Sequence, residues 1–266
     1  MILSSSPCKV LISTTQRCGS TWIASICCKI ARQEGMAEYV SGLSQNLLDF
    51  AQFGIDDEQR IADFSASLSS LSNLTGSQVF KTHDLPLQLV PLFLDKNPDF
   101  WVVNVVRDFR DVLVSRLMYN RYYLPAIGKP SECAFVEANP HLSDVEITRQ
   151  FYGTPEMIQW MIQWKMFSGL VYHNRYLRLE YERLLNRTYR KTAVESLGQC
   201  LLSRELSERR IEEITSTSEF NEIDINLHRD RNQREVKTAF CRKGVAGDYA
   251  QMLTHRQSEA LKILMQ

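Results

Sequence analysis

The sequence predicts an α/β fold, a mainly parallel sheet with helices on both faces. Short β-branched or apolar runs alternate with segments of helical length, which implies right-handed crossovers between parallel strands. One run, FWVVNVV, has the unbroken apolar character of a strand covered on both faces. The 266 residues, 44% of them hydrophobic, are enough to bury one sizeable core.

Taken in order, Lys9 to Ser13 (KVLIS) reads as the first strand and Thr21 to Gln33 as a helix, with the turn TTQRCGS between them. Gln78 to Thr82 (QVFKT) and Phe100 to Val106 are the next strands. After Arg107, the pattern DVLVSRLMYNRYY predicts a helix, and Pro155 to Tyr172 predicts a strong one with proline in its first turn. A last strand falls at Tyr176 to Leu179. Residues 120–154 carry proline, glycine and little periodicity over an unusual length, which marks either a functional lid or a mobile segment. Residues 221–248 are irregular and locally basic, and neither stretch forms a clean domain boundary, so one domain over 1–266 is expected.

Composition excludes several classes. Lys+Arg and Asp+Glu both number 31, so the chain lacks the basic excess of a nucleic-acid or membrane-surface binder, and any anion site must be local. No apolar run approaches the roughly 18 residues of a membrane span. The start MILSSSPCKV does not resemble a signal peptide, so a cytoplasmic location is expected. Seven scattered cysteines without a C-x-x-C pair argue against a disulfide framework and a zinc site, and Cys27 and Cys28 point about 100° apart on a helix, as core residues would.

The turn before the first helix has the chemistry of an anion site. Gly19 lets backbone approach a ligand, the helix start supplies N–H groups and a positive dipole end, and Ser20, Thr21 and Arg17 add hydrogen bonds to a phosphate. The same composition also serves as an ordinary capped helix start. A triphosphatase would need G-x-x-x-x-G-K-[ST], and this turn lacks both the first glycine and the lysine. Lys81-Thr82-His83 and Arg107 follow the next two strands, at the carboxyl edge where open α/β sheets bind ligands. Near the end, Arg242-Lys243-Gly244 sets two cations beside a glycine, suited to a second phosphate.

Together these segments resemble the sulfotransferases that use 3′-phosphoadenosine 5′-phosphosulfate (PAPS), of the cytosolic type or its bacterial metabolite-tailoring branch. TTQRCGSTW is similar to the family's 5′-phosphosulfate loop, VFKTHDLPLQLVP to its K-T-H-x-P segment and VVRDFRDVLVS to its 3′-phosphate segment. RKGVAGDY completes the order across nearly the whole chain. The resemblance implies a P-loop-type three-layer sandwich, PAPS as donor, adenosine 3′,5′-bisphosphate (PAP) as product and a small-molecule acceptor. No metal, nucleic acid or membrane partner is implied.

By that resemblance, Arg17, Cys18, Gly19, Ser20 and Thr21 hold the 5′-phosphate, and Arg107, Ser115, Arg242, Lys243 and Gly244 hold the 3′-phosphate. Trp22 stacks on the adenine, Tyr181 contacts it, and Ser218 with Phe220 closes the purine slot. His83 is the implied general base, with Lys81 a cation near the transferring group; an ordinary histidine, titrating near pH ~6.5, can accept a proton at neutral pH. Ser115 lies eight positions after Arg107, so both reach one ligand only if the first few residues after Arg107 form a loop.

Three departures stand out. Arg17 replaces the commoner lysine and cannot release a proton, although it keeps a permanent charge. The usual G-D-W-K ending is Gly247-Asp248-Tyr249-Ala250 here. The family's dimer segment survives only as Ala250, Thr254, His255 and Glu259, which leaves the oligomeric state open. Two other classes compete with the leading reading: a P-loop small-molecule kinase, which lacks its G-K-[ST] here, and a nucleotide-binding protein with weakened catalysis, suggested by Arg17. In 120–154, Glu132, Glu137, Asp144 and Glu146 slightly outnumber Arg121, Lys129 and Arg149, which suits a polar or cationic acceptor and equally suits a solvated loop of mixed charge.

Overall fold

The computed structural model describes residues 9–33, 40–43, 57–71, 78–219 and 246–266. Among them, β1 (Lys9–Ser13), β2 (Val40–Leu43), β3 (Gln78–Thr82), β4 (Phe100–Val106) and β5 (Tyr176–Glu180) form one sheet, ordered β2-β3-β1-β4-β5. Every neighbouring pair is parallel. Residue by residue β1, β3 and β4 lie where the sequence expects them, and their interior positions are almost wholly buried, as strands covered on both faces must be.

Strand alternation distributes the core. Leu11, Phe80, Phe100 and Val102 pack in one cluster with Ile61, Phe64 and Leu68 of α2 (Asp57–Leu71) and Val90, Phe93 and Leu94 of α3 (Val90–Lys96). Their neighbours Val10, Ile12, Val79 and Val103 point the other way. That face is met by α1 (Ser20–Gln33) and the helix Arg187–Leu202, giving three layers. Cys27, Cys28 and Cys200 are buried on these two helices and joined in no disulfide, and burial pushes the Cys27 thiol up, as expected of core residues.

The chain divides into two compact units. Residues up to Val106 and from Met166 to Leu227 make the unit with the sheet. Arg107–Lys165 and His228–Gln266 make the second. In the second unit, α4 (Phe109–Met118) continues without a break into a π-helical turn, Tyr119–Tyr123. The stretch 120–154 holds more helix than its composition suggests. Asp144–Phe151 is a helix opened by a capping box in which Ser143 and Glu146 exchange hydrogen bonds. The helix starting at Pro155 ends at Ser168 rather than Tyr172, because Gly169 follows, and of the next apolar residues Leu170 and Tyr172 lie exposed while Val171 packs on the core from outside the helix. Residues 220–245 lie outside the described residues, and with them most of the irregular basic segment.

Candidate active site

Parallel order puts β1 between β3 and β4, so the loop leaving β1 starts beside the carboxyl ends of both neighbours. Side chains tie these ends together. The Thr14 hydroxyl donates to the Val105 carbonyl at 2.6 Å, and the Asn104 amide donates to the Ser13 carbonyl at 2.7 Å. From the other side, the Ser13 hydroxyl donates to the Leu85 carbonyl at 2.6 Å, pinning the turn that carries His83. Asn104, fully buried within an apolar strand, is a further polar residue at this edge that sequence reasoning did not single out.

The turn itself is held open by its backbone. Arg17 has φ +67° and Gly19 φ +97°, both in the left-handed region. Arginine rarely adopts that conformation, and such residues gather at functional sites. Gly19 has a further constraint, because a Cβ there would lie 2.7 Å from the Tyr181 ring. Only glycine therefore fits at the threshold of α1, whose Ser20 and Thr21 are buried in its first turn. The Ile23 N–H donates to the Gly19 carbonyl at 3.2 Å, which starts the helix at that point.

Lys81 and His83 face the same loop. The Lys81 ammonium reaches the Thr21 hydroxyl at 3.5 Å. Burial and then the neighbouring Arg17 cation push its pKa down to about 8. Two cations crowded into a poorly solvated turn repel each other until an anion joins them. His83 Nδ1 lies 2.6 Å from the Thr14 carbonyl. A carbonyl only accepts, so Nδ1 carries the proton, and the basic lone pair of the neutral ring is on Nε2. Asp84, with its carboxyl raised by burial, exchanges hydrogen bonds with Thr82 and stiffens the turn around His83.

The proposed purine residues meet in this unit. The Trp22 indole donates to the Ser218 carbonyl at 2.8 Å and stands edge-on to Tyr181 with ring centroids 5.7 Å apart. All three are buried, and the Ser218 hydroxyl finds no hydrogen-bond partner among the described residues. Phe220, Arg242, Lys243 and Gly244 lie outside the described residues.

In the second unit, Asp108 alone separates Arg107 from the start of α4 at Phe109, so the residues after Arg107 turn helical almost at once and form little of the loop expected between Arg107 and Ser115. The Asp108 side chain caps the helix by accepting from the Arg110 N–H. Trp164 donates from its indole to the Arg107 carbonyl at 2.8 Å and fixes the backbone there. Of the acids counted in 120–154, Asp144 pairs with Arg121 and Glu146 serves the capping box, which leaves the exposed Glu132 and Glu137 balanced by Lys129 and Arg149.

Comparison with known proteins follows this geometry. A family model described as a sulfotransferase domain matches residues 7–266. Sulfotransferase 1 family member D1 of Mus musculus is 24% identical over 260 residues, covering 95% of this chain and 80% of the relative. Sulfotransferase 1A1 of Canis lupus familiaris is 26% identical over 265 residues, with the same coverage of 95% and 80%. The fold matches a retinol dehydratase solved with androsterone and inactive cofactor PAP, at TM-score 0.58, 20% identity, 97% of this chain and 79% of that one. It also matches a mouse sulfotransferase complexed with PAP, at TM-score 0.57, 15% identity, 97% of this chain and 83% of that one.

Proposed function

From the premise that the chain belongs to the sulfotransferase family, we propose that it moves a sulfuryl group from PAPS to a hydroxyl or nitrogen of a small, polar or cationic molecule. The observation that carries this is the convergence of Arg17, Gly19, Lys81 and the Nε2-basic tautomer of His83 at one edge of the sheet. The residues suit the donor: a glycine at the helix threshold where the Tyr181 ring leaves no room for a Cβ, two crowded cations, and a buried serine whose carbonyl holds the Trp22 indole.

When bound, the donor supplies an activated sulfuryl group whose bond to the 5′-phosphate breaks as the acceptor attacks in line. His83 Nε2 takes the acceptor's proton, while the Thr14 carbonyl holds the ring and stabilises the imidazolium through the bond from Nδ1. Arg17 and the first turn of α1 balance the charge left on the departing phosphate. Lys81 stands beside them as a further cation. Arg107, Ser115 and the Arg242-Lys243-Gly244 turn are assigned to the 3′-phosphate, Trp22, Tyr181, Ser218 and Phe220 to the purine, and residues 120–154 to a lid over the acceptor. Incubation with labelled PAPS and a metabolite pool, read by mass spectrometry, tests the activity. Binding without transfer to any acceptor would favour a protein with weakened catalysis, and transfer only from ATP would favour a kinase.

Two binding results are expected. PAP at about 100 times its Kd should raise the stability of the folded protein by roughly 2.7 kcal/mol, seen as a higher Tm, whereas ATP should do much less. Equal shifts would remove the 3′-phosphate assignment. The second result concerns pH. Lys81 titrates at about 8 in the free protein, and a phosphate beside it favours the charged form and raises that value. Binding therefore takes up a proton above pH 8, and PAP affinity falls as the pH rises through that region. Calorimetric titrations between pH ~6.5 and ~9.5 should show the bend, and Lys81→Met should flatten it. A wild-type profile without a bend would separate Lys81 from the phosphate.

A further inference from the structure

Asp84 follows His83 directly, yet it stands apart from the cations of the site. Among the described residues its carboxylate has one hydrogen-bond partner, the Thr82 hydroxyl, which donates to Oδ2 at 3.3 Å and accepts from the Asp84 N–H at 3.0 Å. Thr82 is almost wholly buried, so Oδ1 is the oxygen left for a ligand. The residues after it, Leu85, Pro86 and Leu87, are buried, and burial raises the Asp84 carboxyl with no cation to counter the rise. Lys81 is lowered by burial and by Arg17, and Asp84 has no part in that shift. An opposite charge within about 6 Å would move both groups, so a greater distance separates Asp84 from the two cations.

The donor is an anion, so a carboxylate beside the base only repels it, and Arg17 with Lys81 already meets its charge. A half-buried carboxylate without a counter-ion is costly, and a ligand that brings a cation removes that cost. We propose that Asp84 is a specificity-determining residue, pairing through Oδ1 with an acceptor that carries a positive charge close to its hydroxyl, an amino alcohol or a phenolic amine. The proposal rests on the PAPS-dependent reading above. Consecutive Cα atoms lie about 3.8 Å apart, so one small molecule reaches both Asp84 and His83. The pairing also decides which atom reacts. An ammonium has no lone pair to offer, so the hydroxyl oxygen attacks. Its bond to sulfur forms as the bond from sulfur to the 5′-phosphate oxygen breaks, the electron pair of that bond leaves with PAP, and the hydroxyl proton passes to His83 Nε2.

The test gives the full chain PAPS and a pool of cationic, neutral and anionic alcohols and phenols, read by mass spectrometry. Each sulfated amine is assayed again as its N-acetyl form, which keeps the hydroxyl and loses the charge. Wild type should sulfate the cationic members on oxygen, with kcat/KM at least about tenfold above that of the N-acetyl forms. Asp84→Asn, which keeps an acceptor for Thr82, should raise KM for the amines about tenfold, level the preference, and leave kcat and the PAP Kd within about twofold. Asp84→Ser removes the same charge and carries the test should Asp84→Asn fail to fold. Equal use of amines and N-acetyl forms by wild type, sulfation on nitrogen, or an unchanged preference in the variants would overturn the proposal. A parallel loss of kcat and PAP affinity would do the same, making Asp84 a brace for the turn alone. Sulfation of neutral or anionic members only removes the role of Asp84 and leaves the PAPS reading standing, whereas transfer to no member of the pool removes both.

Discussion

Arg17→Ala is expected to lower turnover by at least about 10²-fold at saturating donor, while Arg17→Lys retains measurable activity. Arginine's planar fork can bridge two oxygens of the phosphosulfate and balance the charge that develops on the leaving phosphate. Position supports this role. Arg17 precedes the only glycine of the turn, holds a left-handed φ of +67°, and lies close enough to Lys81 to lower its pKa. A non-glycine residue in that region costs of order 1–3 kcal/mol, a cost tolerated where the side chain is needed at one point. Alanine and lysine both keep that backbone cost, so similar melting temperatures are expected for the two variants. A difference in turnover between them then reports the charge and not the fold. Full activity in Arg17→Ala would show that the cation is dispensable and that the leaving group lies elsewhere.

His83→Ala should also cost roughly 10²-fold or more in turnover, the usual range for losing a general base, but with PAP affinity nearly intact. Separation of the two effects is the informative result. The ring is held by the Thr14 carbonyl at 2.6 Å, and the turn around it is tied independently by Ser13 to Leu85 and by Thr82 to Asp84. Deleting the imidazole therefore leaves other anchors for the loop. Steady-state rates with a neutral hydroxyl acceptor, alongside a calorimetric Kd for PAP, decide the matter. Should affinity collapse together with turnover, His83 holds the site together and its role in proton transfer is unsupported. An acceptor that is already deprotonated would need the base less, so the assay belongs with a hydroxyl or a weakly acidic nitrogen.

Much of the fold was legible because strand signals are local. KVLIS, QVFKT and FWVVNVV each concentrate β-branched or aromatic residues in a few positions, and β1, β3 and β4 begin and end on those residues. Helices with diluted patterns were harder to see. In α2 the core positions Ile61, Phe64 and Leu68 are scattered among serines and charges, so the apolar face emerges only once Phe93 and Phe100 are seen packed against it. At the other extreme, Leu170 and Tyr172 prolonged an apolar pattern past Gly169 although neither is buried. The Ser143-x-x-Glu146 signature could have revealed the helix inside 120–154, since a capping box is a local device that needs no tertiary partner.

For the site, the sequence by itself determined the inventory: a glycine turn between strand and helix, a cation in that turn, Lys81 and His83 at the end of a strand, and Arg107 at the end of another. Covalent order and strand pattern suffice for this, because both are properties of neighbouring residues. Only the tertiary structure decided which nitrogen of His83 is basic, how far Lys81 is depressed and why Gly19 admits no side chain. Each of these depends on a partner far along the chain: Thr14 for His83, Arg17 for Lys81, Tyr181 for Gly19. Hydrogen bonds and charge interactions act over a few ångströms of space, and the separation of residues along a sequence does not encode that distance.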